Sequence, residues 1–293
     1  VANAYCIRKG LIRKAQMAFQ IHKYVAKHPQ SILVYAVPPT FIFELDHLDY
    51  LDEALNENYE IEQALEQNEA LRERAADDPV GIQRFIMKPS LTARGAGIHI
   101  FDSREGFEHI LSQYYSDDES DDDSSQIREW VIQSYVDRPL LLNGGRKFHI
   151  RAYVVAVGGI RVYLWEDMLS LFAGTPYHAA PLDDSGAHLT NTCLQMDRPD
   201  FDESKVVKHA IVTPAQLTSI FDQIKAILAD LFDAVTSETT TFQARANCFE
   251  LFGFDFLVDA DFRTYLLEAN AFPDFKQTGT SLKPVVEGLF KAT

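Results

Sequence analysis

Apolar residues recur at helical spacing in the opening stretch NAYCIRKGLIRKAQMAFQIHKYVAKHP, at Ile7, Leu11, Ile12, Ala15 and Phe19, which predicts one basic helix ending before Pro29. The stretch DYLDEALNENYEIEQALEQNEALRERAADDP is charged and helix-prone but poor in large apolar residues, so it predicts an exposed helix or a mobile insertion. After Pro79 the pattern changes to short strands: QRFIMKP, GIHIF, EWVIQSYV, KFHIRAYVVAV and IRVYLW, the last two joined at Gly158-Gly159 as a hairpin. TPAQLTSIFDQIKAILADLF then places Leu217, Ile220, Phe221, Ile224, Ile227, Leu228 and Leu231 on one helical stripe, with Thr213 as N-cap and Pro214 at the first helical position. A second hairpin, FGFDFLVDADFRTYLLEANAF, turns at Asp259 to Asp261, and a short helix closes the chain near Pro284 to Phe290. Strands and helices mix without regular βαβ alternation, which predicts an α+β fold. The change of pattern sets the expected division: 1–79 as an N-terminal and central region with a helical insertion, and 80–293 as central and C-terminal subdomains.

Composition narrows the class. The 293 residues hold ample material for a core, with 46% hydrophobic and 24% charged residues. No apolar run reaches membrane-spanning length and no leader pattern opens the chain, so a cytoplasmic protein without a membrane partner is expected. Cys6, Cys193 and Cys248 are widely spaced and predict reduced thiols. A start at Val1 predicts a fragment of a longer protein. The net charge is −16, six charges of which come from Asp117 to Asp123; removing them still leaves −10, which argues against direct nucleic-acid binding. The region 117–125 itself is expected to be an acidic surface loop.

Against that acidity the decapeptide GGRKFHIRAY stands out. In an extended chain Lys147, His149 and Arg151 share one face and Phe148, Ile150 and Ala152 the other, a cationic comb backed by an apolar face. The comb reads either as a solvated strand face or as an anion site. Lys88 ends a strand ahead of a loop carrying Arg94, Gly95 and Gly97, where glycine lets backbone approach phosphate. With the second hairpin turning between Ala260 and Asp261, Asp255 is expected opposite Leu266 and diagonal to Glu268, with Asn270 further along the same face. Such oxygens suit Mg²⁺ held together with substrate phosphates, although a strand with ordinary polar residues would read the same. His188, Thr190 and Asn191 form a polar run in AHLTNTCLQM.

A lysine by a Gly loop, a cationic comb and a carboxylate-amide triad, in that order, resemble the tubulin-tyrosine ligase-like family. The resemblance runs from about Lys88 to Phe275, in KPSLTARGAGI, VIQSYVDRPLLLNGGRKFHIRAYV, HLTN, GFDFLVD and LLEANAFPDF, with weaker support in IRKGLIRK. It implies an ATP-grasp fold whose mixed or antiparallel sheets sandwich a nucleotide cleft. It implies that Lys88 and Lys147 hold ATP phosphates and that Arg151 faces the transferring phosphoryl group. Gln133, Ser134, Tyr135 and Val136 would form the hinge against adenine, and Asp255, Glu268 and Asn270 would hold Mg²⁺. His149 falls among the nucleotide contacts; His188 and Asn191 would line the catalytic cleft, with Asn191 near the nucleotide, and Lys14 would be a substrate-side lysine. The implied chemistry joins a carboxylate to an amine through an acylphosphate, with a protein as substrate.

Two positions depart from the family pattern. Its tubulin-tyrosine ligases carry Asp where this chain has His149, and an amino-acid-contacting Arg where this chain has Glu166. An acid there repels an amino-acid carboxylate, which argues against tyrosine as co-substrate. The His-containing motif resembles a fungal branch associated with cytoplasmic mRNA-decapping bodies (P-bodies). That resemblance implies a second reading, an ATP-binding interaction module for decapping factors with weak or absent ligase activity.

Overall fold

The structure is a computed structural model, and it describes residues 1–74, 81–92, 95–115, 127–178, 181–191, 207–209, 212–273, 275 and 283–292. Two compact units divide the chain: Pro38–Asp137 forms one, and Val1–Val37 with Arg138–Thr293 forms the other. This division differs from the boundary expected at 79/80. The reason lies in the core of the Pro38–Asp137 unit, where residues from both sides of that point pack together.

That unit holds β1 (Thr40–Glu44), a 3-10 turn (Leu48–Tyr50), α4 (Leu51–Glu57), α5 (Tyr59–Arg74), β2 (Phe85–Pro89), β3 (His99–Phe101), α6 (Arg104–Ser112) and β4 (Glu129–Ser134). The strands form an antiparallel sheet in the order β1-β4-β2-β3. The charged stretch expected to be exposed or mobile is instead part of the core, because Leu51, Leu55, Ile61 and Leu65 turn one narrow stripe toward Phe43, Phe85 and Phe107. Small Ala54 and Ala64 are buried in the same core. Fully buried Asn68 completes the attachment: it donates to the carbonyls of Gln83 and Asp102 and accepts from the Gln83 amide.

The other unit opens with α1 (Lys9–Ile12), α2 (Lys14–Val25) and α3 (Leu33–Ala36). The single opening helix expected from periodicity is thus broken. Arg13 is extended between α1 and α2, and Ala2 pairs with Cys248 as an isolated bridge. Residues before Lys9 are held by other partners: the Tyr5 amide donates to Glu250, and Arg8 lies 2.8 Å from the same carboxylate.

After β5 (Leu141–Leu142) comes the long strand β6 (Arg146–Val157), then β7 (Arg161–Leu164), β8 (Leu169–Phe172), α7 (Ser185–His188), β9 (Val207–His209), α8 (Pro214–Thr236), β10 (Phe249–Val258), β11 (Thr264–Ala271) and α9 (Lys283–Ala292). The sheet runs β11-β10-β6-β8-β9, with β5 and β7 also on β6, and every pairing is antiparallel. Helix α8 starts with the expected Thr213 cap, reciprocated by Gln216, and buries Ile220, Ile224, Ile227, Leu228 and Leu231 of the expected stripe, with Leu217 and Phe221 half-buried. One sheet face, with Phe148, Ile150, Ala152 and Val154 of β6, packs on α2 and α8. The opposite face carries Tyr153, Leu169 and Leu171 against Val285 and Leu289 of α9.

The β10–β11 register differs from the sequence expectation. Asp255 stands directly opposite Glu268, Gly253 opposite Asn270, and Phe256 opposite Leu266, with a bulge between. The turn is longer than expected, because Asp259 folds it back through bonds to the amides of Asp261 and Arg263. Leu266 and Ala269 both face the core, so Leu267 is the additional bulged residue that changes the phase of the strand. Among the described residues no helix is long and apolar enough to cross a membrane. The acidic run Asp117 to Asp123, Cys193 and Arg94 lie outside the described residues.

Asn68→Ala should destabilise the Pro38–Asp137 unit by about 3 kcal/mol, since it leaves buried backbone groups unpaired. Urea unfolding together with faster amide exchange across α5 would record this. An unchanged midpoint would mean that α5 is only appended to the sheet.

Candidate functional site

The site in the larger unit is built on three adjacent strands. β6 alternates as the sequence predicted, with Lys147, His149 and Arg151 on one face, but that face is not solvated: Lys147 is 7% and His149 4% exposed. Charges at such depth need partners. Across the β6–β10 ladder Arg151 pairs with Asp255, its Nε donating to Oδ1 and its Nη2 to Oδ2 at 3.0 Å. Burial works against the Arg151 charge, but the adjoining Asp255 outweighs it and holds the guanidinium charged.

Gly253, two residues before Asp255, makes room for this pair. A Cβ there would lie 3.2 Å from Arg151 Cδ and 3.1 Å from Pro273 Cβ. Sequence reading passed over this glycine, although a lone Gly inside a strand pattern signals close approach of another group.

On the far side of β10 lies the oxygen set. Asn270 Nδ2 donates to Asp255 Oδ2 at 3.3 Å and to Glu268 Oε1 at 3.2 Å, and Lys14 Nζ at the start of α2 lies 3.9 Å from Glu268 Oε2. The structure therefore brings Asp255, Glu268, Asn270, Arg151 and Lys14 together. Among the described residues no group of three or more His, Cys, Asp or Glu side chains forms a metal cage. Two carboxylates and an amide do fit Mg²⁺, which binds through one or two carboxylates plus substrate phosphates; the Asn270 amide offers an oxygen when turned over.

His149 connects this cluster to the HLTN run. Its Nδ1 lies 2.6 Å from Thr190 Oγ1, while Nε2 is buried, unbonded, and 3.6 Å from Asp255 Oδ1, too far for a hydrogen bond. Burial, reinforced by Arg151 and Lys147, pushes its pKa down to about 3, so the ring is neutral and its approach to Asp255 is no ion pair. His188, at the end of α7, is buried and donates Nε2–H to the Pro181 carbonyl, with its ring edge-on to Tyr177 and His178. Burial, and then Lys147, lower its pKa as well. Asp184 caps α7 at the Gly186 amide and holds His178 at 2.9 Å, a support that the sequence did not reveal. Asn191 follows, half-buried.

The remaining candidates lie in the Pro38–Asp137 unit. Lys88 is buried at the end of β2 and donates to Gln133 Oε1 at 3.4 Å; Gln133 donates in turn to Thr40 Oγ1, and Thr40 to the Pro38 carbonyl. The backbone beyond β4 is fixed by Ser134 N to Pro39 O and Tyr135 N to Arg84 O, both 2.8 Å. The nearby loop needs its glycines: Gly95 and Gly97 have φ of 79° and 70°, and a Cβ at Gly97 would meet Pro89 Cγ at 2.8 Å.

Comparison with known proteins agrees with these motifs. The tubulin-tyrosine ligase family profile matches residues 9–293. A probable tubulin–tyrosine ligase of Schizosaccharomyces pombe is 40% identical over 99% of this chain and 75% of its own length. The probable tubulin–tyrosine ligase PBY1 of Saccharomyces cerevisiae is 38% identical over 99% of this chain, which spans 42% of that protein. Among solved structures, the C-terminal domain of K. lactis Pby1, described as an ATP-grasp enzyme interacting with the mRNA decapping enzyme Dcp2, superposes with a TM-score of 0.68. It is 34% identical, over 99% of this chain and 73% of that domain's chain. The fold is thus an ATP-grasp fold of the α+β class, as expected.

Two buried neutral histidines set a pH dependence. Their folded pKa values lie below the unfolded value, so the unfolded chain takes up protons first and stability falls as pH drops below about 6.5, toward about 3 for His149. Each contributes up to about 1.4 kcal/mol of loss per pH unit. His149→Gln combined with His188→Gln should flatten the fall in unfolding free energy between pH 6.5 and 5; an unaltered slope would show that the rings protonate in the folded protein.

Proposed function

Because the chain belongs to the tubulin-tyrosine ligase family, we propose that it binds ATP with Mg²⁺ and joins an amino acid to a protein carboxylate through an acylphosphate. One observation carries the reading: the Arg151 fork, on the same β6 face as buried Lys147, and an oxygen set on β10 and β11 meet at Asp255, which bonds to both Arg151 and Asn270. Buried positive charge facing a small cluster of hard oxygens is the arrangement expected where polyphosphate and a divalent cation meet.

Arg151 is oriented before any ligand arrives. Its fork is fixed by Asp255, so it can meet a transferring phosphoryl group without rearrangement, stabilising charge as the carboxylate oxygen attacks phosphorus. Lys147 supplies a point charge for the phosphates from the same face. Both Asp255 oxygens already accept from Arg151, so Glu268 and Asn270 take the larger share in holding Mg²⁺, which when bound neutralises phosphate charge. To Lys14, 3.9 Å from Glu268, falls the substrate-side role that the family resemblance implies. His149 is neutral and adds a polar contact without charge. Lys88, and Gln133 to Val136, keep the phosphate and adenine roles that the family resemblance implies.

Glu166 favours a second reading. This exposed acid stands where the family resemblance places an amino-acid-binding arginine, which removes the attraction for an amino-acid carboxylate. In that reading the domain binds ATP and serves chiefly as a docking module for decapping factors in cytoplasmic P-bodies. The Dcp2 interaction described for the K. lactis domain supports such a partner.

Calorimetric titration with ATP should show binding that requires Mg²⁺ and falls sharply in Glu268→Gln. Lys147→Ala should weaken ATP itself, whereas Arg151→Ala should retain ATP and lose phosphate release. No binding at millimolar ATP would overturn the nucleotide reading, and ATP binding without phosphate release over a panel of amino acids and acceptor peptides would favour the docking module.

A further inference from the structure

A chain of contacts that begins outside the oxygen set ends at it. Glu250, near the start of β10, is 1% exposed, and a carboxylate at that depth needs partners. Its Oε2 accepts from the Tyr5 amide, and Arg8 Nε stands 2.8 Å from its Oε1. Arg8 Nη1 donates in turn to the Tyr5 carbonyl at 2.7 Å. The guanidinium is therefore oriented by a buried acid and a backbone oxygen together, immediately ahead of α1, which lies against β11.

The same guanidinium lies over the Phe272 ring, its Cζ 5.2 Å from the centroid, within cation–π range. Phe272 is the first residue beyond β11 and the second after Asn270. Its φ is 56°, in the left-handed region that so bulky a side chain rarely adopts, and its ring is 68% exposed, so core packing does not hold it there. Pro273, which follows, is buried, and its Cβ lies 3.1 Å from the point where a Gly253 side chain would begin, a point that also faces Arg151. The backbone leaving β11 thus turns abruptly after Asn270 and is held by Arg8 at Phe272 and by Gly253 at Pro273. A residue kept in such a conformation beside a site is a sign that the surroundings fix the backbone for a purpose.

We propose that Arg8 is a positioning residue for the oxygen set: anchored on Glu250, it fixes Phe272 and with it the end of β11, keeping Asn270 in register with Asp255 and Glu268. Arg8 pairs with Glu250 and Tyr5 and with none of those three, so it acts through the backbone of β11. The bonds from Asn270 to Asp255 and Glu268 are long, 3.3 and 3.2 Å, so a small movement of the strand end decides whether the three side chains can serve one ion. Mg²⁺ tolerates little departure from its preferred ligand geometry, and groups behind the ligands commonly set metal affinity. Arg8 matters to the chemistry only where this set holds Mg²⁺, so the role rests on the nucleotide reading.

The whole 293-residue chain is titrated with ATP by calorimetry at a series of Mg²⁺ concentrations, and amide exchange across 268–272 is followed by mass spectrometry without ligand. Phe272→Leu, a change at an exposed position, and Arg8→Gln should each raise the Mg²⁺ concentration needed for half-maximal ATP binding about tenfold, with ATP affinity at saturating Mg²⁺ altered by less than about twofold. Both should speed exchange at 268–272 in the ligand-free protein. Phe272→Tyr, which keeps the ring face under Arg8, should retain the original Mg²⁺ requirement and exchange. Combining Arg8→Gln with Phe272→Leu should add little to either change alone, because both break one chain of contacts. An unchanged Mg²⁺ requirement in Phe272→Leu overturns the role of Arg8, as does a Phe272→Tyr variant as impaired as Phe272→Leu, or full additivity of the two changes; these outcomes leave the nucleotide reading standing. ATP binding that is absent from the unaltered chain, or indifferent to Mg²⁺, overturns that reading and the role of Arg8 with it.

Discussion

Arg151 and Asp255 face each other across the β6–β10 ladder, and the guanidinium can remain charged at that depth only with the carboxylate beside it. The arrangement around them follows from this requirement. Gly253 has no side chain because the arginine lies against it. Asn270 is turned so that one amide nitrogen serves both Asp255 and Glu268. His149 sits close to Asp255 without bonding to it, its ring fixed instead by Thr190. A single carboxylate thus organises cations on one side and oxygens on the other, and removing it would leave a buried charge uncompensated, usually a costly change.

Depth also decides how basic side chains on a strand are to be understood. Lys, His and Arg on alternate positions of an exposed strand would be ordinary solvated residues. Here Lys147 and His149 are buried, Arg151 is half-buried and the imidazole is neutral, so the face is polar and dense in positive charge but not uniformly cationic. The acid-sensitive histidines and the arginine fork are two answers to the same desolvation: one group loses its charge, the other acquires a partner.

Much of this was legible in the residues. Period-two alternation identified the two faces of β6, Thr213 and Pro214 marked the start of α8, and spaced motifs pointed to the family. What was missed has specific causes. The stretch from Asp49 to Arg74 looked too polar for a core, yet a narrow leucine-isoleucine stripe and one buried asparagine attach it. The opening helix looked continuous because periodicity registers neither the extended backbone at Arg13 nor the hold of Glu250 on Tyr5 and Arg8 ahead of α1. The division into units follows spatial packing and has no marker at Pro79.

The bulge at Leu267 bears on how this hairpin can change over evolutionary time. Leu266 lies in the core and Glu268 in the site, so one supernumerary residue separates the two environments. Point substitutions along β11 alter one side chain at a time. Loss of the Leu267 codon would restore strict alternation and leave Leu266 inward and Glu268 opposite Asp255, whereas loss of Ala269 would send Asn270 to the core side. The hairpin should therefore accept a one-residue deletion at the bulge far more readily than one on its far side, where a change of length moves a member of the oxygen set to the other face.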